Sequence, residues 1–293
     1  MSRVIFAFFL LTVCVASACA QDHKIACYTY PKTTESYKRK LWDGYEISLG
    51  PARNGSGGDG DDCTAAIYSP AGKVVFRTTG FGVIFDQEQT GKDFDGDGKP
   101  EVVFMTDKAG GAHCCWIYNV VSLAPKPHKL FDVGEGAALD FQKDKDGRMI
   151  IWERVGGTHD YTSEAQAPSA ERVYRVQGGK LADATPEFCG KIFSRGGADN
   201  DEWNQALTAE KIRKLQAAEK IGTSAAVEVE DTVSALLSRA QQRVLCHQYD
   251  EAMGDLNLWP ESSRDEMKGK FAEAIKSYSP EIAARLAGKS PSK

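Results

Sequence analysis

The sequence predicts a mainly β protein, built of short antiparallel strands, with a C-terminal α-helical region. Three observations support this prediction. Residues 1–20 have the layout of a signal peptide, residues 21–194 are rich in Gly, aromatic and β-branched residues with frequent turn signals, and residues 205–288 carry apolar residues at helical spacing. We therefore expect a β-rich domain over 21–194 and a helical domain over 205–288.

The first twenty residues indicate export. Arg3 precedes an apolar run, Val4–Val15, and Ala18-Cys19-Ala20 offers the small residues that signal peptidase cleaves after, here after Ala20. The run is shorter than the about 20 apolar residues that a membrane span needs, and no later stretch is long or apolar enough. Residues 16–19 also loosely resemble a bacterial lipobox, so a lipid anchor at Cys19 is the alternative. We expect a secreted or periplasmic protein.

Charge argues against a nucleic-acid partner. The chain has 36 Lys and Arg against 41 Asp and Glu, a net charge of −5 at pH 7, and no dense Lys/Arg cluster. Nucleic-acid binding depends mainly on neutralising phosphates, which requires such a cluster.

Six cysteines remain after cleavage, and an even number in an oxidising compartment predicts disulfides. Cys27 and Cys63 are the first expected pair because they are close in sequence, whereas the adjacent Cys114 and Cys115 are expected to take different partners. No C-x-x-C spacing supports zinc. The candidates are Cys27, Cys63, Cys114, Cys115, Cys189 and Cys246.

The β region shows four clear strand cores. Short apolar runs bounded by turn residues predict strands. They are Val74–Phe76, Val102–Phe104, Ile150–Trp152 and Val173–Val176.

The C-terminal region shows helix boundaries. Thr208 is expected to cap a helix that continues to Lys220, and a longer helix is expected from about Ala225 to Leu256. Ser263 with Glu266 has the spacing of a capping box, and Pro280 stands at the tolerated first position of a last helix.

A weak repeat is present in the β region. Four short patterns recur 46 to 49 residues later. They begin at residues 93, 97, 102 and 110 and again at 140, 146, 150 and 156. Residues 68–69 and 73–76 also resemble residues 118–119 and 129–131. A period in the forties is typical of a propeller blade of four strands. Three to four units predict a small or incomplete propeller, or a sandwich of hairpins.

Asp93–Glu101 is the strongest chemical signal. Carboxylates at its first, third, fifth and ninth positions can surround one hard cation, the seventh residue can add its backbone carbonyl, and Gly98 permits a sharp turn. An EF-hand needs a carboxylate at position twelve within a helix, but that position is Phe104 in a predicted strand. The predicted calcium ligands are Asp93, Asp95, Asp97, Lys99 and Glu101.

This loop, preceded by Phe81-Gly82 and followed by an apolar strand, resembles the FG-GAP or VCBS type of β-propeller repeat over Phe81–Met105. The resemblance implies a calcium ion that stiffens a hairpin, in a family of mainly extracellular adhesion or binding modules. The second copy retains only Asp144 and Asp146, with Gln142 and Ile150 at the other ligand positions, so it predicts one calcium ion and not two.

Histidines and vicinal cysteines supply the competing hypotheses. His113 and His159 follow matching Gly-Gly pairs, so they either line one pocket or bond their own turns. A secreted hydrolase or lyase would use them with Asp160, and a periplasmic metal or redox protein would use Cys114 and Cys115. The leading hypothesis is an exported, non-enzymatic binding module with a structural calcium ion. Its protein or glycan ligand would contact the loops Gly110–His113 and Gly156–His159.

Overall fold

The computed structural model describes residues 25–29, 32, 35–52, 63–108, 116–134, 139–157, 160–163, 166–194, 203–218, 221 and 229–286. The predicted signal peptide and the proposed lipid site at Cys19 lie outside these residues. So do His113, His159, Cys114 and Cys115.

The described strands form three antiparallel sheets. In chain order they are β1 Ile25–Tyr28, β2 Tyr37–Lys40, β3 Glu46–Pro51, β4 Cys63–Tyr68, β5 Val74–Gly80, β6 Gly82–Phe85, β7 Glu101–Asp107, β8 Trp116–Ser122, β9 His128–Val133, β10 Leu139–Lys143, β11 Met149–Gly156, β12 Ser169–Gln177 and β13 Lys180–Asp183. The first sheet has the order β2-β3-β4-β5, the second β1-β6-β7-β8-β9 and the third β10-β11-β12-β13. Each sheet is therefore a four-strand meander, and β1 adds a fifth strand to the second.

The second sheet packs between the other two. Val102 and Phe104 of β7 contact the apolar face of the first sheet, while Val103 between them packs with Ile151 of the third sheet. Successive residues of a strand point to opposite faces, so the middle of a strand covered on both faces is mainly apolar. This arrangement explains the uninterrupted run of apolar residues in β7, and the predicted strand cores are confirmed.

Helices follow the sheets among the described residues: residues 203–206 are helical, and six further helices have both ends described. They are α1 Thr185–Ser194, α2 Ala209–Ala217, α3 Glu230–Leu245, α4 Tyr249–Leu256, α5 Arg264–Ile275 and α6 Pro280–Leu286. Short 3-10 helices cover Trp42–Gly44 and Glu261–Ser263. The protein is thus mainly β with a C-terminal helical part, as the sequence predicted. The helix α1 lies inside the region that we expected to be β, and it packs through Phe188 and Ile192 on the third sheet.

The long helix expected from Ala225 to Leu256 is wrong, because the described part of this segment is two helices. His247 has a left-handed φ of 58°. The His247 N–H donates to the Val244 carbonyl and the Gln248 N–H donates to the Arg243 carbonyl, the pair of bonds that defines a Schellman stop. This position usually needs Gly, so a histidine there gave no sequence signal of the break.

All three expected helix starts are confirmed in position, since α5 begins at Arg264 directly after Ser263. The Thr208 hydroxyl accepts from the Lys211 N–H, and Pro280 opens α6. The Ser263 capping box is wrong, because the Ser263 hydroxyl accepts a hydrogen bond from the Trp259 indole N–H at 3.1 Å and makes no cap bond.

Side chains of helix α3 hydrogen-bond to the edge of β12 that β13 leaves unpaired. The Gln242 amide accepts from the Glu171 N–H at 2.7 Å and donates to the Glu171 carbonyl at 3.0 Å, as a neighbouring strand would. The Ser238 hydroxyl accepts from the Ser169 N–H. These side chains satisfy strand groups that β13 is too short to reach, and they fasten the helical part to the third sheet.

Candidate metal site

The predicted calcium loop is part of the connection between β6 and β7, residues 86–100. Two backbone bonds close its base, from Gly91 N–H to the Glu101 carbonyl and from Glu101 N–H to the Lys92 carbonyl. Phe94 is fully buried among the rings of Phe131 and Phe141, between the second and third sheets. The loop is therefore attached to the core at its first turn.

Backbone N–H groups shape the loop around its carboxylates. Asp93 accepts from Gly96 and Gly98 at 2.7 and 2.9 Å, and Asp95 accepts from Asp97 at 3.1 Å. Both glycines have φ of 83°, a conformation that costs other residues about 1–2 kcal/mol. The geometry therefore agrees with the expected role of Gly98 in the turn.

Glu101 is the buried member of the loop. Its side chain is 0% exposed, and its Oε2 accepts from the Phe94 N–H at 2.7 Å. Its Oε1 is buried and has no hydrogen-bond partner among the described residues. Leaving a buried polar atom unpaired costs about 1–3 kcal/mol, and more if it is charged. The Glu101 carboxylate therefore lacks one favourable partner.

Three carboxylates converge on one point. One oxygen from each of Asp93, Asp95 and Glu101 lies within 4.8 Å of the others, a grouping that could hold a metal ion. Asp97 is not in this group, and its Oδ1 accepts from the Lys99 N–H at 2.8 Å. In the part of the chain that the structure describes, no Lys, Arg or His forms an ion pair with any of these four carboxylates.

The electrostatics of Glu101 follow from this geometry. Burial raises the pKa of its carboxyl group from 4.5 to about 7, while the hydrogen bond from Phe94 lowers the pKa and the charges of Asp95, Asp93 and Asp97 raise it. A cation among the three carboxylates would oppose the effect of burial by giving the Glu101 carboxylate a ligand bond. Its positive charge would also oppose the repulsion from the neighbouring aspartates.

The second copy of the loop connects β10 and β11. Asp144 accepts from the N–H groups of Asp146 and Arg148, both at 2.9 Å, and its Oδ2 lies 3.1 Å from Arg148 Nε and 3.7 Å from Arg175 Nε. Desolvation raises the pKa of Asp144, but the hydrogen bonds and the Arg148 charge outweigh it and lower the pKa overall. Ile150 occupies the position equivalent to Glu101. The sequence reasoning missed both arginines as carboxylate partners; Arg148 directly after Gly147 was the available signal.

The other predicted site residues are only partly described. The expected Cys27–Cys63 disulfide is present, and a second disulfide joins Cys189 of α1 to Cys246 at the end of α3. Asp160, the proposed partner of His159, has its carboxylate 3.5 Å from the ammonium group of Lys270 in α5.

No protein-family model matches the chain, and no curated protein or solved structure matches it either. The resemblance to FG-GAP and VCBS repeats therefore stays a prediction. Within the described ranges, none of the helices has the length and apolar character that crossing a bilayer requires.

Proposed function

We propose that this protein is an exported, non-enzymatic binding module whose β-domain is stiffened by one calcium ion at Asp93, Asp95 and Glu101. The observation that carries the proposal is the fully buried Glu101 carboxylate, whose Oε1 has no partner among the described residues and which has an oxygen within 4.8 Å of oxygens of Asp93 and Asp95. A cation at this point would give the oxygen the partner that the described residues do not supply.

Calcium is the ion that this donor set favours. All donors are hard oxygens, and calcium takes about six to eight of them at roughly 2.3–2.6 Å in a flexible geometry. Three carboxylates supply part of that shell. Asp97, the Lys99 carbonyl and water complete it in the proposal.

The position of the loop supports a structural role. Asp95 Oδ2 lies 3.9 Å from where a Cβ on Gly179 would stand, and Gly179 belongs to the turn between β12 and β13 of the third sheet. Phe94 is buried at the junction of the same two sheets. A calcium ion here would hold the second sheet's hairpin in place against the third sheet.

The topology supports the repeat interpretation. The two loop copies both connect the first and second strands of a meander, and the segments around residues 68–76 and 118–131 both connect the third and fourth. The connections that contain His113 and His159 both follow the second strand. These connections are the proposed contact surface for a protein or glycan ligand. The two disulfides are consistent with export to an oxidising compartment.

The test compares melting temperatures in calcium and in chelator. At calcium about 100 times the dissociation constant, a ligand specific for the folded state raises the melting temperature by about 5–10 °C for a chain of this size. We expect Glu101→Gln to abolish this shift, because it removes the charge and keeps the shape. Asp146→Asn makes the same kind of change in the second copy and should leave the shift intact. No calcium shift in the parent protein would overturn the proposal.

A further inference from the structure

A groove lies between the edge of the first sheet and the connection that carries the metal loop. Its volume is about 190 Å³. The lining comprises the end of β2 and the turn after it on one side, and the end of β6 with the start of the β6–β7 connection on the other. The lining residues are Arg39, Lys40, Leu41, Trp42, Phe85, Gln87 and Thr90.

Arg39 reaches across this groove. Its Nη1 donates to Gln87 Oε1 at 2.9 Å, which joins the two sides, and its guanidinium carbon lies 5.9 Å from the centre of the Phe85 ring. A guanidinium with these two contacts loses less side-chain freedom on binding a carboxylate than one without them. Lys38, Arg39 and Lys40 are all exposed along β2, so this edge is positive although the whole chain is negative.

Trp42 and Thr90 add different chemistry. Trp42 is half-buried in a 3-10 turn that is closed by two backbone hydrogen bonds, between Leu41 and Tyr45 and between Tyr45 and Trp42. The Thr90 hydroxyl accepts from the Val103 N–H at 3.0 Å, which leaves its own hydrogen to donate. The groove thus combines a flat apolar ring, a cation, an amide and a hydroxyl.

We propose that this groove binds an acidic sugar residue, a six-membered ring that carries a carboxylate. The carboxylate pairs with Arg39 and Lys40, the apolar face of the ring lies on Trp42, and a ring hydroxyl bonds Thr90. The volume of about 190 Å³ is below the about 300–1,000 Å³ of pockets that hold drug-sized ligands, so we propose a single ring as the ligand. The proposal rests on the binding function proposed above and names its ligand class as an acidic glycan.

The experiment uses the full exported chain, loaded with calcium, and follows the Trp42 indole N–H signal by NMR. Methyl β-D-glucuronide is titrated at millimolar concentrations, against methyl β-D-glucoside at matched ionic strength. These two sugars differ at the carboxylate, so we expect the glucoside to bind at least about tenfold more weakly. A Trp42→Phe variant assigns the signal.

Matched charge variants separate a site from general attraction. Arg39→Gln should weaken glucuronide binding at least about tenfold. Lys38→Gln removes the same charge from the same strand, but Lys38 does not line the groove, so binding should be retained. Equal losses in the two variants, no glucuronide shift at Trp42, or equal binding of a short polyglutamate peptide would each overturn the proposal.

Calorimetry with calcium alone distinguishes the groove proposal from the metal proposal. If calcium binds and the glucuronide does not, the groove proposal fails and the metal proposal stands. If the glucuronide binds and calcium does not, the groove proposal stands and the calcium brace fails.

Discussion

Two loops at equivalent places in neighbouring sheets carry the same electrostatic problem, and the described residues balance the charge in only one of them. Each is an acidic turn between the first and second strands of a meander, with a glycine at φ of 83° or 78°. In the second copy, Asp144 and Asp146 are paired with arginines. In Asp93–Glu101 more carboxylates converge, and within the described residues no basic side chain pairs with them. The comparison teaches that internal guanidinium groups neutralise the second turn, whereas the first turn would need an external cation, and that Glu101 versus Ile150 marks the difference.

The largest expected effect is that a substitution at the metal site stabilises the metal-free protein. In chelator at pH 8, Glu101→Gln should be more stable than the parent by up to about 3 kcal/mol, because it removes a buried charge whose pKa is raised from 4.5 to about 7. Its amide N–H groups can also donate to Asp93 and Asp95. Denaturant unfolding measures the difference.

The pH dependence of the same unfolding experiment sharpens this prediction. A carboxyl group with a raised folded pKa favours folding below pH 4.5, and this contribution is lost as the pH rises to about 7. The parent should lose stability over that range and Glu101→Gln should not. A parallel pH response of the two proteins would contradict the assignment of the raised pKa to Glu101.

Calcium affinity should fall in acid. Calcium needs the ionised Glu101 carboxylate, so below pH 7 a proton competes for it, and the apparent affinity should decrease about tenfold per pH unit. Calorimetric titration at pH 8, 6 and 5 measures this trend. A flat profile would mean that Glu101 is not a ligand.

A pair of glycine substitutions tests whether the two turns differ in metal dependence. Gly98→Ala and Gly147→Ala each place a Cβ at positive φ, so each should destabilise its turn by about 1–2 kcal/mol. Only Gly98→Ala should also weaken calcium binding. Equal calcium affinities in the two variants would show that the shape of the first turn does not control the site.

The smallest effect is expected at the second copy's exposed arginine. Arg148→Gln removes ion pairs to Asp144 and Asp146, but Arg148 is half-exposed, so the melting temperature should change by no more than about 2 °C with or without calcium. A large, calcium-dependent change would show that this loop also binds metal.

Much of the fold was predictable because its signals are local. Val102–Phe104 predicted a strand, Thr208 and Pro280 marked helix starts, and proximity identified the Cys27–Cys63 pair. The break at His247 was not predictable, because the helical apolar spacing continues on both sides of a residue that rarely adopts positive φ.

The candidate metal site was also predictable in part. The spacing of four carboxylates and two glycines within nine residues is a property of the chain, and it defined which residues can meet in one turn. The burial of Glu101 depends on how the second sheet packs, and the reach of Arg175 to Asp144 depends on the register of β12 beside β11. Sequence spacing specifies contacts within a turn, whereas burial and charge pairing arise from residues distant in sequence that meet only when the sheets stack.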